Sequence, residues 1–360
     1  MPPTRWREEP GQLRIPFRAD AGDHLAVLDL FAGTGGLSLG FAAAGFNVIG
    51  VDSEKASAGV FDTNSIGELL LENLHTTLVL RDVPVVIGGP PCRPWSAVNV
   101  QRRGRAHEDH ALIERFFLHL NEIKPHAFLM ENVPPLGRDP IYQQQLNDLK
   151  RRGYTVASNV LRYSDFGAPT TRGRLFTVGF RDTLHSGAGE FFQRLHARRR
   201  PAQTVRDAIG WLRDRPRGSV PDHEWSEIQT IGNYAERYRT GQYGWKRLEW
   251  DTQAPSFGSV SKTYVLHPDS DPAQPGPRVL SVREVLSIMG FDRDFHFPEG
   301  TGLTLRYRMA ANAVSPIIAA DCAHVMRELI WGDAEVPVRT DPVVADQPSP
   351  APPTLTARVG

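Results

Sequence analysis

The chain has 360 residues, of which 40% are hydrophobic and 23% charged, a composition typical of globular proteins with one large lobed domain or two domains. Its 41 basic and 41 acidic residues give a formal net charge of zero, which argues against a general attraction to nucleic acid. The chain has no run of about 18 apolar residues, no apolar secretory signal in residues 1–20 and only two cysteines, so we expect a cytoplasmic protein.

The basic residues are mostly arginines, since only five of the 41 are lysines. Two local clusters are Arg102, Arg103, Arg105 and Arg198, Arg199, Arg200. Such clusters either contact phosphates or lie on a solvated face, and the sequence leaves both interpretations open.

Short apolar runs alternate with helical patterns between residues 25 and 180. The predicted strands are 25–30, 47–51, 85–87, 127–130 and 175–178. The predicted helices are 36–44, which Gly45 ends, and the amphipathic stretch 112–122. Strands that alternate with helices predict an α/β fold with a mostly parallel sheet and helices on both faces.

The regular pattern fades after residue 180. Residues 181–278 are rich in Arg, Trp, Pro and Gly, which predicts a smaller, loop-rich lobe. Helical patterns return at 281–290 and 313–331, and the proline-rich tail 332–360 is predicted to be disordered.

A glycine-rich turn, DLFAGTGG at 29–36, joins the first predicted strand to the first helix, and Asp52 ends the next strand. Glycines let a backbone turn sharply and approach a ligand, and a carboxylate at that position can bind ribose hydroxyls. The alternative is a plain tight turn. Because the glycines do not fit the three-glycine dinucleotide fingerprint, the pattern favours a nucleoside such as S-adenosylmethionine over NAD.

Three further motifs follow predicted strands or begin one. The rigid loop GGPPCRPWS (88–96) holds Cys92 where it can react as a thiolate, although a small buried cysteine is the alternative. Glu131 ends a strand, where partial burial would raise its pKa so that it donates a proton near neutrality; the alternative is a solvated glutamate or helix cap. Arg172 and Arg174 in TTRGR share one face, suited either to phosphate or base-edge oxygens or to a solvated strand edge.

Over residues 25–330 the chain closely resembles the DNA (cytosine-5)-methyltransferase family. DLFAGTGGLSLGF is similar to the cofactor motif, GGPPCRPWS to the nucleophile motif, MENV to the general-acid motif and TTRGR to the arginine motif. SVREVLSIMGF and RYRMAANAVSP are similar to the two closing motifs. Single matches are weak, but six in family order are highly specific.

The resemblance implies a Rossmann-like S-adenosylmethionine-dependent methyltransferase fold with four parts. These are a catalytic and cofactor-binding domain (1–180), a target-recognition region (181–278), a closing segment (279–331) and the tail. It also implies methyl transfer to C5 of a flipped-out cytosine in a short sequence of double-stranded DNA, through a covalent bond between Cys92 and C6. We expect a monomer without a metal, working in a restriction-modification system beside a cognate endonuclease.

The resemblance assigns residues to three sites. The catalytic residues are Cys92, Glu131, Arg172 and Arg174. The cofactor residues are Phe31, Gly33, Thr34, Gly35, Gly36, Asp52, Ser53, Pro90, Asn312 and Ala313. The DNA-binding residues are Ser96, Gln101, Arg102, Arg103, Arg237, Arg239 and Arg247, and residues 99–110 would close over the flipped base.

Three departures from the family pattern concern supporting residues. Thr170 stands where a glutamine is usual, Met289 stands where a glutamine is common, and the stretch 64–82 offers no clear acidic residue for the adenine amine. The rival interpretations are an RNA (tRNA) cytosine-5 methyltransferase, a non-catalytic DNA-binding relative and a dinucleotide-dependent oxidoreductase. The tRNA-acting branch typically has a Cys-Phe-Thr element, which this chain lacks.

Overall fold

A computed structural model describes residues 11–15, 25–91, 110–184, 187–241, 245–258 and 265–332. This part of the chain contains eleven strands: β1 (Gly11–Ile15), β2 (Ala26–Leu30), β3 (Asn47–Asp52), β4 (Glu68–Leu71), β5 (Thr77–Arg81), β6 (Val85–Gly88), β7 (Ala127–Asn132), β8 (Tyr154–Arg162), β9 (Gly173–Arg181), β10 (Lys246–Arg247) and β11 (Val265–Leu266). Its α-helices are α1 (Gly36–Ala43), α2 (Lys55–Thr63), α3 (His110–Ile123), α4 (Pro140–Arg151), α5 (Ala188–Ala197), α6 (Val205–Ile209), α7 (Ala235–Thr240), α8 (Val282–Ile288), α9 (Leu303–Asn312) and α10 (Pro316–Trp331).

The main sheet has seven strands in the order β4-β3-β2-β6-β7-β9-β8. Its first five strands are mutually parallel, and β9 runs antiparallel to both of its neighbours. The predicted α/β fold with a mostly parallel sheet is therefore confirmed. Outside this sheet, β1 pairs with β5 and β10 pairs with β11.

Helices cover both faces of the sheet, so its central strands are buried on both sides. Alternate residues of β7 show this arrangement: Ala127 and Leu129 lie in one apolar core with α1 and α10, whereas Phe128 and Met130 lie in a second core with α3 and α4. Both faces of a central parallel strand need apolar side chains, which explains the continuous apolar runs in the sequence.

The C-terminal helices return to the first helix. The predicted helix at 281–290 is confirmed as α8. Ser281 and Glu284 form a reciprocal capping box at its start, and Gly290, just after its end, has a positive φ of 87°. The predicted start of the last helix at Ala313 is wrong. Ala313 has an extended backbone that ends α9, and α10 begins at Pro316, where the proline ring is pre-set for a first helical position.

The stretch after residue 181 is divided between two cores. Helices α5 and α6 pack in the main core through Phe191, Leu195 and Val205. A separate small cluster contains Ile231, Tyr238, Trp245, Leu266 and Val279, with Trp225, Ile228 and Tyr234 packed against it. We call this cluster, which lies within residues 225–279, the aromatic lobe.

The arginine cluster 198–200 forms ion pairs within the protein. Arg198 pairs with Glu328 at 2.6 Å, and Arg200 pairs with Asp321 at 2.8 Å, so both tie the end of α5 to α10. Arg199 lies 3.5 Å from Asp165. These ion pairs therefore argue against the interpretation that the 198–200 cluster contacts phosphates.

Within the described ranges no single helix is long and apolar enough to cross a membrane. Helices α9 and α10, which are bent by 42° at their junction, reach the required length and apolar composition only when they are taken together.

Helix α1 approaches α10 so closely that Gly40 has no room for a side chain. A Cβ at Gly40 would lie 2.4 Å from both Ala319 Cβ and the backbone nitrogen of Ala320. We expect Gly40→Ala to lower the free energy of unfolding by about 1–3 kcal/mol because of overpacking, measured by urea denaturation.

The matched control is Gly189→Ala in helix α5, where no atom outside the adjoining residues and helix backbone lies within 4 Å of the added Cβ. This change should raise the free energy of unfolding by up to about 1 kcal/mol, since alanine favours helix over glycine. Equal stabilities of the two variants would contradict the close contact between α1 and α10.

Candidate active site

The carboxyl ends of β2, β3, β6 and β7 open onto one cavity of about 820 Å³. Open α/β sheets place their ligands at this edge. Of the predicted cofactor residues, the cavity is lined by Phe31, Gly33, Thr34, Gly36, Asp52, Ser53, Pro90, Asn312 and Ala313. Glu131, Arg172 and Arg174 line the same cavity. The structure thus brings together residues that are up to about 280 positions apart in the chain.

The glycine-rich turn after β2 is held in shape by Asp52. Gly33 N–H donates to Asp52 Oδ2 and Glu54 N–H donates to Asp52 Oδ1, both at 2.8 Å. Burial raises the pKa of the Asp52 carboxyl, and these two backbone donors oppose the rise. Gly33 has a φ of 54°, and Phe31, which is not a glycine, has a φ of 65°. The turn therefore needs the left-handed backbone region at more than one position.

The closing segment packs directly on this turn. A Cβ at Gly36 would lie 2.1 Å from the carbonyl oxygen of Val314, so only glycine fits there. Thr34 Oγ1 donates to the carbonyl oxygen of Met309 at 2.7 Å. Gly35, with a φ of 78°, precedes α1 and faces Ile66 and Phe61 rather than the cavity. These contacts explain why Asn312 and Ala313 reach the cavity wall.

Two buried side-chain oxygens on the cavity wall have no hydrogen-bond partner within the described chain. They are Asp29 Oδ1 and Ser57 Oγ, in residues that are 1% and 0% exposed. Burial raises the pKa of Asp29 to about 7, although Ser38 donates to its other oxygen at 2.6 Å. Buried polar atoms without partners are costly, so these two favour a polar ligand in the cavity.

Glu131 is buried among basic groups at the end of β7. Arg174 Nε lies 3.1 Å from Glu131 Oε1, and the Tyr163 hydroxyl donates to the same oxygen at 3.3 Å. Burial raises the pKa of Glu131, while Arg174, Arg172 and Tyr163 act in the opposite direction. The carboxyl group can therefore hold a proton closer to neutrality than an exposed glutamate can.

The two arginines of TTRGR have different surroundings. Arg172 is 5% exposed and donates from one terminal nitrogen to the carbonyl oxygens of Ala311, at 2.9 Å, and Phe257, at 3.3 Å. Arg174 is less enclosed and pairs with Glu131. Arg172 therefore joins three chain segments at the cavity, whereas Arg174 contributes its charge directly beside the carboxylate.

Asn132 holds the loop that runs into Cys92. Its side-chain amide donates to the carbonyl oxygen of Pro90 at 2.9 Å, and its amide oxygen accepts from Val133 N–H at 2.8 Å. The predicted residues Cys92, Ser96, Gln101, Arg102 and Arg103, together with 99–109 of the predicted closing loop, lie outside the described residues. The structure places the loop only as far as Pro91.

The predicted DNA-binding arginines of the aromatic lobe are not among the cavity residues. Arg237 lies over the rings of Tyr234 and Trp245, and Arg239 pairs with Glu236 at 2.5 Å. Arg247 is exposed on β10. In the described part of the chain, no group of three His, Cys, Asp or Glu residues has the spacing of a metal site.

Several cavity residues were missed by the sequence analysis. Glu72, Asn73, Leu74 and His75 follow β4 and line the cavity, and Ser256 and Phe257 line it from the stretch predicted to be a lobe. The departure at Thr170 is accommodated locally: its hydroxyl is buried and accepts from Arg172 N–H at 3.3 Å. Met289, the other departure, is buried in the main core at the end of α8.

Comparison with known proteins covers most of the chain. The model of the C-5 cytosine-specific DNA methylase family matches residues 25–328. The type II methyltransferase M.MthTI of Methanothermobacter thermautotrophicus is 31% identical over 341 residues, covering 86% of this chain and 99% of the relative. M.FnuDI of Fusobacterium nucleatum is 27% identical over 85% of this chain and 95% of the relative.

Solved structures share the fold. A DNA modification methyltransferase encoded within an E. coli prophage has a TM-score of 0.62 and 23% identity over 85% of this chain and 99% of its own. The Dnmt2 methyltransferase of S. pombe has a TM-score of 0.62 and 15% identity over 85% of this chain and 98% of its own.

The sheet order and the glycine turn beside Asp52 define the chain as an α/β protein of the same fold class as these solved structures. Within that class the chain belongs to the C-5 cytosine-specific DNA methylase family, and it is a DNA cytosine-5 methyltransferase.

Proposed function

We propose that this enzyme methylates C5 of a flipped-out cytosine in a short DNA sequence by covalent catalysis through Cys92, as the modification enzyme of a type II restriction-modification system. The observation that carries the proposal is the buried Glu131, paired with Arg174, on the same cavity wall as Pro90 and Pro91, which lead directly into Cys92. A nucleophile, an acid and a cation would thereby surround one substrate ring.

The cavity residues fit S-adenosylmethionine. The glycine turn leaves backbone space for a ligand, Asp52 lies where a ribose would bind, and Asp29 Oδ1 and Ser57 Oγ offer unused hydrogen-bonding capacity. Phe31 would pack on the adenine, and Asn312 and Ala313 would line the methionine end. When bound, the cofactor would supply the methyl group, carried on a sulfonium whose sulfur can leave as a neutral thioether.

The residues of the chain would divide the reaction between them. The Cys92 thiolate would form a bond to carbon 6, and the electron pair of the C5–C6 double bond would shift into the ring. Glu131 would donate a proton to ring nitrogen N3, which neutralises the negative charge that develops there. Arg174 would stabilise charge on the carbonyl oxygen attached to carbon 2 of the cytosine. After methylation a base removes the carbon 5 proton, the Cys92–C6 bond breaks with its electron pair returning to sulfur, and the N3 proton returns to Glu131.

Access to carbon 6 supports the base-flipping part of the proposal. In a duplex, stacking covers both faces of the cytosine ring, and flipping the base costs a few kcal/mol. Glu131 and Arg172 are buried at the cavity wall, at 8% and 5% exposure, so a base reaches them only by entering the cavity. The type II names of the relatives support the assignment to a restriction-modification system.

The proposed cofactor site predicts that Asp52→Asn weakens binding of S-adenosylhomocysteine at least tenfold in isothermal titration calorimetry. The variant loses the charge and one of the two acceptors that hold the turn, and a hydrogen bond to a charged group is worth about 1.5–3 kcal/mol. Asp62→Asn, the same change on the exposed side of α2, is the control and should leave the affinity unchanged. Equal affinities in the two variants would remove Asp52 from the site.

The proposed nucleophile predicts that DNA carrying 5-fluorocytosine at the target becomes covalently attached, because the fluorine on carbon 5 cannot leave as a proton. Cys92→Ser should form no adduct and transfer no methyl group while still binding S-adenosylhomocysteine, since a hydroxyl is far less acidic than a thiol. Cys322→Ala is the control: Cys322 is fully buried in α10, so this variant should still form the adduct on denaturing gels. An adduct with Cys92→Ser would contradict the mechanism.

We further propose that target choice resides in the aromatic lobe, within residues 225–279. The lobe has its own small core, and its exposed Lys246 and Arg247 are suited to base edges in the major groove. Leu248, Ala254, Phe257 and Val265 of this stretch, like α5 and α6, belong to the main core, so within the predicted region 181–278 we assign target choice to the residues around the small core.

A chimera tests this assignment. When residues 225–279 replace the corresponding segment of a relative with a different known target, bisulfite sequencing should show methylation at the target of the present enzyme. A second chimera that receives only residues 187–212 should keep its original target. A folded, active 225–279 chimera that keeps its old target would place specificity elsewhere.

A further inference from the structure

The hydroxyl of Tyr163 lies behind Glu131, on the side away from the cavity. Tyr163 is fully buried and is not among the cavity-lining residues, yet its hydroxyl donates to Glu131 Oε1 at 3.3 Å. It can therefore act on a substrate only through Glu131.

The position of Tyr163 is fixed by the same turn that carries the two arginines. Its backbone N–H donates to the carbonyl oxygen of Arg172 at 3.0 Å, and its own carbonyl oxygen accepts from Phe166 and Ala168 N–H. Its ring packs edge-on against Phe176 with 6.4 Å between centroids. The hydroxyl thus has little freedom to leave Glu131.

The two oxygens of Glu131 have different neighbours. Oε1 faces two donors, Arg174 Nε at 3.1 Å and the Tyr163 hydroxyl. Oε2 faces the loop that leads to Cys92, since a Cβ built on Gly89 would lie 3.6 Å from it. An oxygen that accepts a hydrogen bond from Tyr163 and is paired with the Arg174 charge is the poorer site for a proton, so a proton on this carboxyl group resides on Oε2.

We propose that Tyr163 is a positioning residue that, together with Arg174, occupies Oε1 and leaves Oε2 to carry the proton that Glu131 gives to cytosine N3. The proposal rests on the proposed function, in which Glu131 is the general acid. The phenol itself stays protonated, because burial and then the neighbouring Glu131 carboxylate raise the pKa of Tyr163 well above its ordinary value.

The hydroxyl also sets the pH range of the acid. A donor to the ionised carboxylate lowers the pKa of Glu131, which opposes the rise that burial causes. Removing the hydroxyl therefore raises the pKa of Glu131. Since the acid must be protonated to act, activity then persists to higher pH. A general acid works best with a pKa near the operating pH, so the hydroxyl keeps the proton transferable.

The test is the pH profile of single-turnover methyl transfer to the target DNA. Tyr163→Phe should shift the alkaline limb of the profile to higher pH by about one unit. A pKa change of this size is expected when one hydrogen bond to a charged group is lost. Incorporating 3-fluorotyrosine at position 163, a more acidic and stronger donor, should move the limb downward, and this second variant keeps the hydroxyl in place if the phenylalanine variant is unstable.

Tyr142→Phe is the matched control. Tyr142 is also fully buried, and its hydroxyl contacts Ser158 at 3.0 Å and Thr177 at 2.5 Å, without touching Glu131. Its loss should lower the melting temperature without moving the alkaline limb. If Glu131→Gln is inactive but neither variant at position 163 moves the alkaline limb of the pH profile, the proposed role of Tyr163 is wrong and the proposed role of Glu131 stands. A Glu131→Gln variant as active as wild type overturns the proposed acid itself.

Discussion

The contact between helix α1 and the residues that lead into α10 fixes the end of the cavity that contains the glycine turn. Gly36 and Gly40 allow backbone and side-chain atoms of 314–320 to approach within distances that any larger residue forbids. Because of this approach, a segment near residue 312 forms the cavity wall beside the turn near residue 33. The site is therefore assembled from the two ends of the domain, and its shape depends on packing in the core.

The base end of the cavity depends on a balance of charge. Removing Glu131 from water disfavours its ionised form, and the two arginines and Tyr163 favour it. A buried carboxyl group under opposing influences of this kind is typical of sites that transfer protons. Arg172 also has a structural role, since its guanidinium donates hydrogen bonds to the carbonyl oxygens of Ala311 and Phe257 and so holds these two segments at the cavity wall.

The sequence predicts the parts of this fold that local patterns encode. Central strands such as β2 and β7 are continuous apolar runs, and Gly45 and Gly290 mark helix ends by their backbone conformation. The edge strands β4 and β8 were missed because half-exposed edges need no strict pattern. Contacts such as Tyr163 with Glu131 and Arg200 with Asp321 join residues far apart in the chain, and no spacing rule predicts them.

The backbone of Phe31 has a consequence for how this enzyme tolerates change. A bulky residue at a φ of 65° is strained by about 1–3 kcal/mol, where glycine would adopt the same conformation freely. A design procedure that optimises stability alone would favour glycine at this position. It would thereby remove the aromatic ring from the cavity wall, so selection for stability alone and selection for the shape of this cavity act in opposite directions on this one residue.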